Sequence, residues 1–429
     1  MVTQSRKSLI SWCLYDWANS AFATVVLAAV LPVYFVSLVP TAGATLPGFS
    51  NHFFSASSLW GYSVSLSMFI LAVAAPVLGA LADHKGWHKQ LMMAFWIVGC
   101  SATALLATTG SGQYLSAAVF FIIGNLAFAG ANIFYNAYLP HLVPAEKTDR
   151  LSAQGFATGY VGGGILLALV FILILKFEVF GFSERGAATR CGFLLTAGWW
   201  FLFAIPTFIT LPKTSPTREN HYRFSVSGYF YQFKQLLSYR DLCLFLLAFL
   251  FYNDGIQTII SVSAIYARDE LHLSHGTVIG CFLMIQFMAM PGALFFAKLA
   301  EKIGAVRAIF FSLITFLSVC IFAYRMTTAY EFWILGGVIA IILGGSQALS
   351  RSLFASMVPQ QKSAEFFGFF SISSRFASIF GPLLFALVAD FSGSSRNSIL
   401  AIGLFFIVGG ILLLQVNVKR GISLAAEQS

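Results

Sequence analysis

Twelve apolar stretches constrain this chain more than any other feature of it. They lie near residues 10–38, 56–82, 89–109, 114–139, 153–176, 190–211, 242–266, 276–298, 306–325, 331–355, 366–390 and 397–418. Each is about as long as the roughly 20 apolar residues that carry a helix across a bilayer core. In lipid the backbone must satisfy its own hydrogen bonds, so such runs specify helices. Composition agrees: 58% of the 429 residues are hydrophobic and 10% charged, against roughly a quarter charged in an average soluble domain. The expected fold is an all-α integral membrane protein with twelve transmembrane helices. An ordinary soluble enzyme, a disordered tail and a nucleic-acid-binding domain are excluded. Arg6 and Lys7 precede the first run as they would in a signal peptide. The run is too long for one, and an uncleaved first helix is expected.

Charge placement sets the expected orientation. With the N-terminus inside, 18 Lys and Arg residues fall on the cytoplasmic side and 6 on the other, while Arg375 falls within a span. This is the positive-inside bias. It accounts for the net charge of +9 through an anionic lipid leaflet, with no nucleic-acid partner. Both termini are expected in the cytoplasm, and the setting is expected to be a bacterial inner membrane, with the chain a monomer. The six cysteines lie inside apolar runs without ligand spacing. They are expected to be buried apolar residues rather than disulfides or a zinc site. No metal or other cofactor is expected. The seven histidines, at 52, 84, 88, 141, 221, 272 and 275, lie in loops or span ends, where solvated surface is expected for most of them.

The chain repeats itself. Gly79-Ala80-Leu81-Ala82-Asp83-His84-Lys85-Gly86 follows the second span, and Ala297-Lys298-Leu299-Ala300-Glu301-Lys302-Ile303-Gly304 follows the eighth. Leu142-Val143-Pro144 follows the fourth span, and Met357-Val358-Pro359 the tenth. An even number of spans separates each pair of copies, which defines a parallel repeat about the membrane normal. The expected organisation is a six-helix bundle over 1–212, a cytoplasmic linker over 213–240 and a second six-helix bundle over 241–429. The linker carries five of the basic residues, and the stretch from Pro40 to Ser55 is an uncharged polar loop. In the repeated loops, Gly79, Asp83 and Gly86, with Glu301 and Gly304, form a candidate gate. Its ionic contacts would break when the halves rock; a hairpin that only fixes topology is the alternative.

The Gly79-x-Leu81-Ala82-Asp83-x-x-Gly86 loop is similar to the signature between the second and third helices of the major facilitator superfamily. His84, Trp87 and His88 stand where that signature usually has arginines, while Lys85 and Lys89 keep the charge. Within the superfamily the chain resembles the vacuole-effluxer branch, whose fungal members export amino acids. The residues that carry this are Tyr15-Asp16-Trp17-Ala18-Asn19-Ser20-Ala21-Phe22, Tyr252-Asn253-Asp254-Gly255 and Ser350-Arg351-Ser352. The resemblance implies a cavity lined by the first, fourth, seventh and tenth helices.

Polar residues recur at helical spacing on those helices and on the eleventh. The stripes are Asp16, Asn19, Ser20 and Thr24 on the first, and Asp254, Gln257, Thr258 and Ser261 on the seventh. Asn125, Asn132, Tyr135 and Asn136 mark the fourth; Gln347, Ser350 and Arg351 the tenth; Ser371, Ser374, Arg375 and Ser378 the eleventh. An ionised carboxylate at mid-membrane costs roughly 2.5–3.5 kcal/mol on insertion scales, so Asp16 and Asp254 must be paired, protonated or wet. The candidate substrate or proton residues are therefore Asp16, Asn19, Ser20, Asn132, Asn136, Asp254, Gln257, Thr258, Gln347, Arg351 and Arg375. Arg351 and Arg375 either bind a cargo carboxylate or phosphate or make structural pairs, with Glu301 the expected partner of Arg351. Gly162-Gly163-Gly164 marks close packing or a flexible point, and Gly344-Gly345 and Gly381-Pro382 mark kinks.

No nucleophile elbow, metal triad or phosphate loop occurs. The expected function is secondary transport of a small polar or zwitterionic metabolite by alternating access, amino acids first, with proton coupling as a further expectation. Efflux of hydrophobic drugs or lipids and a non-transporting sensor are the alternatives.

Overall fold

The computed structural model describes residues 5–40, 43–46, 49–216, 233–376, 380–392 and 395–427. Eleven helices among them are long and apolar enough to cross a membrane, and one bent pair makes a twelfth span. The first half comprises α1 (Arg6–Ala21), α2 (Leu31–Leu38), α3 (Ala56–Lys85), α4 (His88–Leu105), α5 (Tyr114–Ala137), the short α6 (Leu139–Leu142), α7 (Thr148–Leu175) and α8 (Arg185–Thr210). A short helix α9 covers 233–238. The second half comprises α10 (Arg240–Asp269), α11 (His275–Ile303), α12 (Ala305–Arg325), α13 (Ala329–Met357), α14 (Ser363–Phe376), α15 (Phe380–Ser392) and α16 (Ser395–Leu414). The start of α1 and the end of α16 define a termini face; the other is the opposite face.

The first span is broken. A π-helical stretch, Phe22–Ala29, follows α1, and α2 departs at 45°. Pro32 has no N–H to continue the ladder, which breaks the helix at this point. The loop expected between Pro40 and Ser55 instead pairs on itself, with β1 (Ala44–Leu46) antiparallel to β2 (Phe49–Phe54). The eleventh span comprises α14 and α15, and the kink expected at Gly381-Pro382 adjoins residues 377–379, which lie outside the described residues.

α13 runs unbroken from Ala329 to Met357 through Gly344 and Gly345. They let it touch α11: a side chain at Gly344 would meet the Ala289 carbonyl, and one at Gly345 the Phe296 ring. Gly162 and Gly163 likewise admit Trp17 and Thr24 of the first span, and Gly164 faces Gln286 and Phe287 of α11, across the two halves. Replacing Gly345 with Leu is therefore expected to destabilise the folded protein by about 1–3 kcal/mol, the usual cost of overpacking. A lowered melting temperature in detergent would show it; an unchanged one would refute the packing assignment.

Sequence reading did not anticipate α17 (Val418–Glu427), a polar-faced helix beyond the last span. Arg420 Nη2 donates to Asp241 Oδ1 at 2.7 Å, and the Asn417 N–H donates to the same oxygen at 3.0 Å. The end of the chain is thus tied to the first turn of α10.

Candidate functional site: a cavity between the two halves

A cavity of about 1300 Å³ lies on the seam between the halves. It reaches Ser37, Leu175 and Arg185, at helix ends on the opposite face, and ends toward the termini face at Asp16 and Arg351. Nine of the eleven candidate residues line it: Asp16, Asn19, Ser20, Asn132, Asn136, Gln257, Gln347, Arg351 and Arg375. Asp254 and Thr258 do not. Asp254 is 1% exposed and accepts the Gly381 N–H at 2.9 Å, while the Thr258 hydroxyl donates to the Asp254 carbonyl at 2.7 Å. A side chain at Gly381 would collide with both residues, so α15 packs directly against them.

Arg351 forms the floor. It projects from α13 into the first half and is 3% exposed. Its Nη1 donates to Asp16 Oδ2 at 3.0 Å and to Asn136 Oδ1 at 3.3 Å. Its Nε donates to the Ser152 hydroxyl at 2.9 Å, and its Nη2 to the Ser152 carbonyl at 2.8 Å. The guanidinium also lies 4.1 Å from the Phe156 ring centroid and 4.9 Å from that of Trp12. The planar fork of an arginine suits this many partners at once. The expected pairing of Arg351 with Glu301 is thus not what forms: Glu301 is exposed, whereas Asp16 lies within reach across the seam.

Further cross-half contacts lie on the termini side of the cavity. Asp83 accepts the N–H groups of Ala364 and Glu365 at 3.1 and 2.8 Å, at the first turn of α14, where a carboxylate complements the helix dipole. His88 Nε2 lies 2.8 Å from the same carboxylate. Gly79 permits this approach, because a side chain there would overlap the backbone of Ala364. His88 is only 2% exposed, and His141 bonds the Ser363 hydroxyl at 3.0 Å, so neither is solvated surface as expected. Ser352 bonds Asp149, and Gln360 donates to the Pro140 carbonyl at 2.6 Å. Gly86 takes φ +65° in the reversal after α3, and Gly304 φ +87° after α11, a region that favours glycine. The two repeated loops differ in use: the first crosses the seam through Asp83, while the second leaves Glu301 exposed.

Inside the cavity, the Asn19 amide donates to Asn132 Oδ1 at 2.7 Å, and the Tyr160 hydroxyl to Gln347 Oε1 at 2.6 Å. Asn253 joins the lining and donates to the Ser374 carbonyl at 3.1 Å. Arg375 lies 5.9 Å from the Phe128 ring centroid and 3.6 Å from the Met68 sulfur, with no carboxylate partner among the described residues. Ser152, Gly155, Phe156, Gly159 and Tyr160 escaped sequence reasoning. Their helical spacing was the available signal: Gly155 gives Asp16 and Arg351 room to meet, and Gly159 faces Ser20.

Two bundles of membrane-spanning helices around a central cavity define a carrier of the major facilitator class. The human organic anion transporter MFSD10 (TETRAN) superposes with a TM-score of 0.75 at 15% identity, over 95% of this chain and 99% of that one. The fucose transporter FucP, in its outward conformation, does so with a TM-score of 0.73 at 13% identity, over 96% and 100%. The chain belongs to the vacuole effluxer Atg22-like family, whose model matches residues 4–426. The MFS-type transporter YxiO of Bacillus subtilis (strain 168) is 35% identical over 100% of this chain and 99% of its own length. Autophagy-related protein 22 of Kluyveromyces lactis is 24% identical over 97% and 95%.

Proposed function

We propose that the chain is a secondary transporter of a small polar or zwitterionic metabolite, amino acids first, working by alternating access. The observation that carries this is the cavity on the seam, closed on one face by polar contacts between halves. Parting those contacts and closing the opposite face would present the same residues to the other side. The excess of basic residues near the termini face supports a cytoplasmic placement of that face, and a bacterial inner membrane is part of the same proposal. Amino acids come first because the family resemblance points to them. A monomer suffices, since both halves of the cavity come from one chain.

Proton coupling belongs to the same proposal, through Asp16 or Asp254. Of the two, Asp16 touches the cavity and holds Arg351. Protonating it would remove the charge that fixes the floor, which links proton uptake to opening.

Purified protein in liposomes, offered a metabolite panel with and without a pH gradient, tests the proposal. The expected result is accumulation of amino acids driven by the gradient. Asp254→Asn and Asp16→Asn are each expected to abolish that pH-driven accumulation, Asp254→Asn with exchange retained. Accumulation that persists in both variants would remove these carboxylates from proton coupling. Failure to move any panel member would overturn the transport assignment.

A further inference from the structure

The cavity holds its charges unevenly. Among the described lining residues the acidic group is Asp16, and its carboxylate is already bound to Arg351. Among the described residues Arg375 has no such partner. Its contacts are a methionine sulfur and the Phe128 ring, neither of which neutralises a guanidinium. Among the described lining residues the cavity therefore presents Arg375 beside its aromatic residues and Arg185 at its opposite-face end as cations that a ligand can neutralise, and no open carboxylate.

Three of the amide oxygens in the lining are already engaged. Asn132 Oδ1 already accepts from Asn19, Gln347 Oε1 from Tyr160, and Asn136 Oδ1 from Arg351. Gln347 and Arg375 line the cavity, and among the described residues the Gln347 amide nitrogen has no acceptor while Arg375 donates only to the Met68 sulfur. An amide or guanidinium N–H can meet a carboxylate but cannot meet an ammonium group. Around these groups stand Phe128, Phe249 and Phe370, which suit an apolar body.

We propose that the cavity grips its cargo by a carboxylate on Arg375 and makes no ion pair with an amine. This deepens, and rests on, the proposed transport of small metabolites. The ligand class is an organic acid with an apolar body, whether or not it carries an α-amino group. The guanidinium fork binds a carboxylate through two parallel N–H donors, which fixes the orientation of the cargo as well as its sign.

Four matched probes separate the two charged groups of an amino acid: L-phenylalanine, 3-phenylpropionate, 2-phenylethylamine and L-phenylalaninamide. Calorimetric titration of the detergent-purified full chain at neutral pH reads their affinities directly. The two carboxylates should bind within about threefold of each other. The amine and the amide should bind at least about tenfold more weakly, as expected when a buried charge is left without its partner. Arg375→Gln should erase the difference, and Arg375→Lys should restore part of it. The wild-type series decides the matter even where a variant fails to fold. Equal binding of L-phenylalanine and its amide, or no binding of either carboxylate, overturns the inference. Liposomes that transport only panel members lacking a carboxylate would overturn it while leaving the transport assignment intact. Carboxylate-selective binding without transport of any panel member would do the reverse.

Discussion

Asp16→Asn should destabilise the conformation closed at the termini face by about 3–5 kcal/mol, because it leaves Arg351 buried without its counter-charge. Arg351→Gln should act in the same direction by stranding Asp16. The double variant should recover much of the loss, since removing both partners of a buried pair leaves no orphan charge. Such non-additivity is expected of residues in direct contact, here at 3.0 Å. Distances between probes on the termini ends of α5 and α13 would lengthen in the single variants, and net transport would fall. Unchanged distances together with unchanged transport would show that the pair does not hold the floor.

Asp83→Asn is the second change with a large expected effect. The carboxylate accepts two N–H groups of α14 and faces His88, all across or beside the seam. A hydrogen bond to a charged group contributes about 1.5–3 kcal/mol, and Asn keeps only part of this geometry without the charge. Transport should slow much more than expression falls. Glu301→Gln, at the matching place in the second half, should change little, because Glu301 is exposed. Equal effects of the two substitutions would refute the asymmetry between the loops.

Much of this architecture was legible in the sequence because a bilayer imposes one strict rule, a long apolar run for each crossing. The spans and the repeat of Asp83 by Glu301 follow from length and pattern alone. The cavity stripes were legible too, since polar residues at helical spacing in a span must face something other than lipid. What escaped was pairing. Asp16 and Arg351 stand 335 residues apart, and nothing local distinguishes that partnership from Arg351 with Glu301. Asp254 illustrates the same limit: it shares a helical face with Gln257, yet the Gly381 N–H of the eleventh span reaches it. Gly344 and Gly345 read as a kink or as packing because a glycine pair both weakens a helix and admits a neighbour, and the contact with α11 shows the packing use. The buried His88 was misplaced because a loop in sequence became a seam in space.

A carrier that rests with its floor closed has two apparent affinities for one cargo. A molecule arriving from the opposite face meets a formed site. One arriving from the termini face finds the site only in the fraction of carriers whose floor has parted, and its apparent dissociation constant rises by the inverse of that fraction. With roughly 1% of carriers parted, the two constants differ about a hundredfold. On the proposed mechanism the Arg351 plug would make loading one-sided: dilute cargo would enter readily from one compartment and sparingly from the other, while the final distribution would still follow the driving gradient.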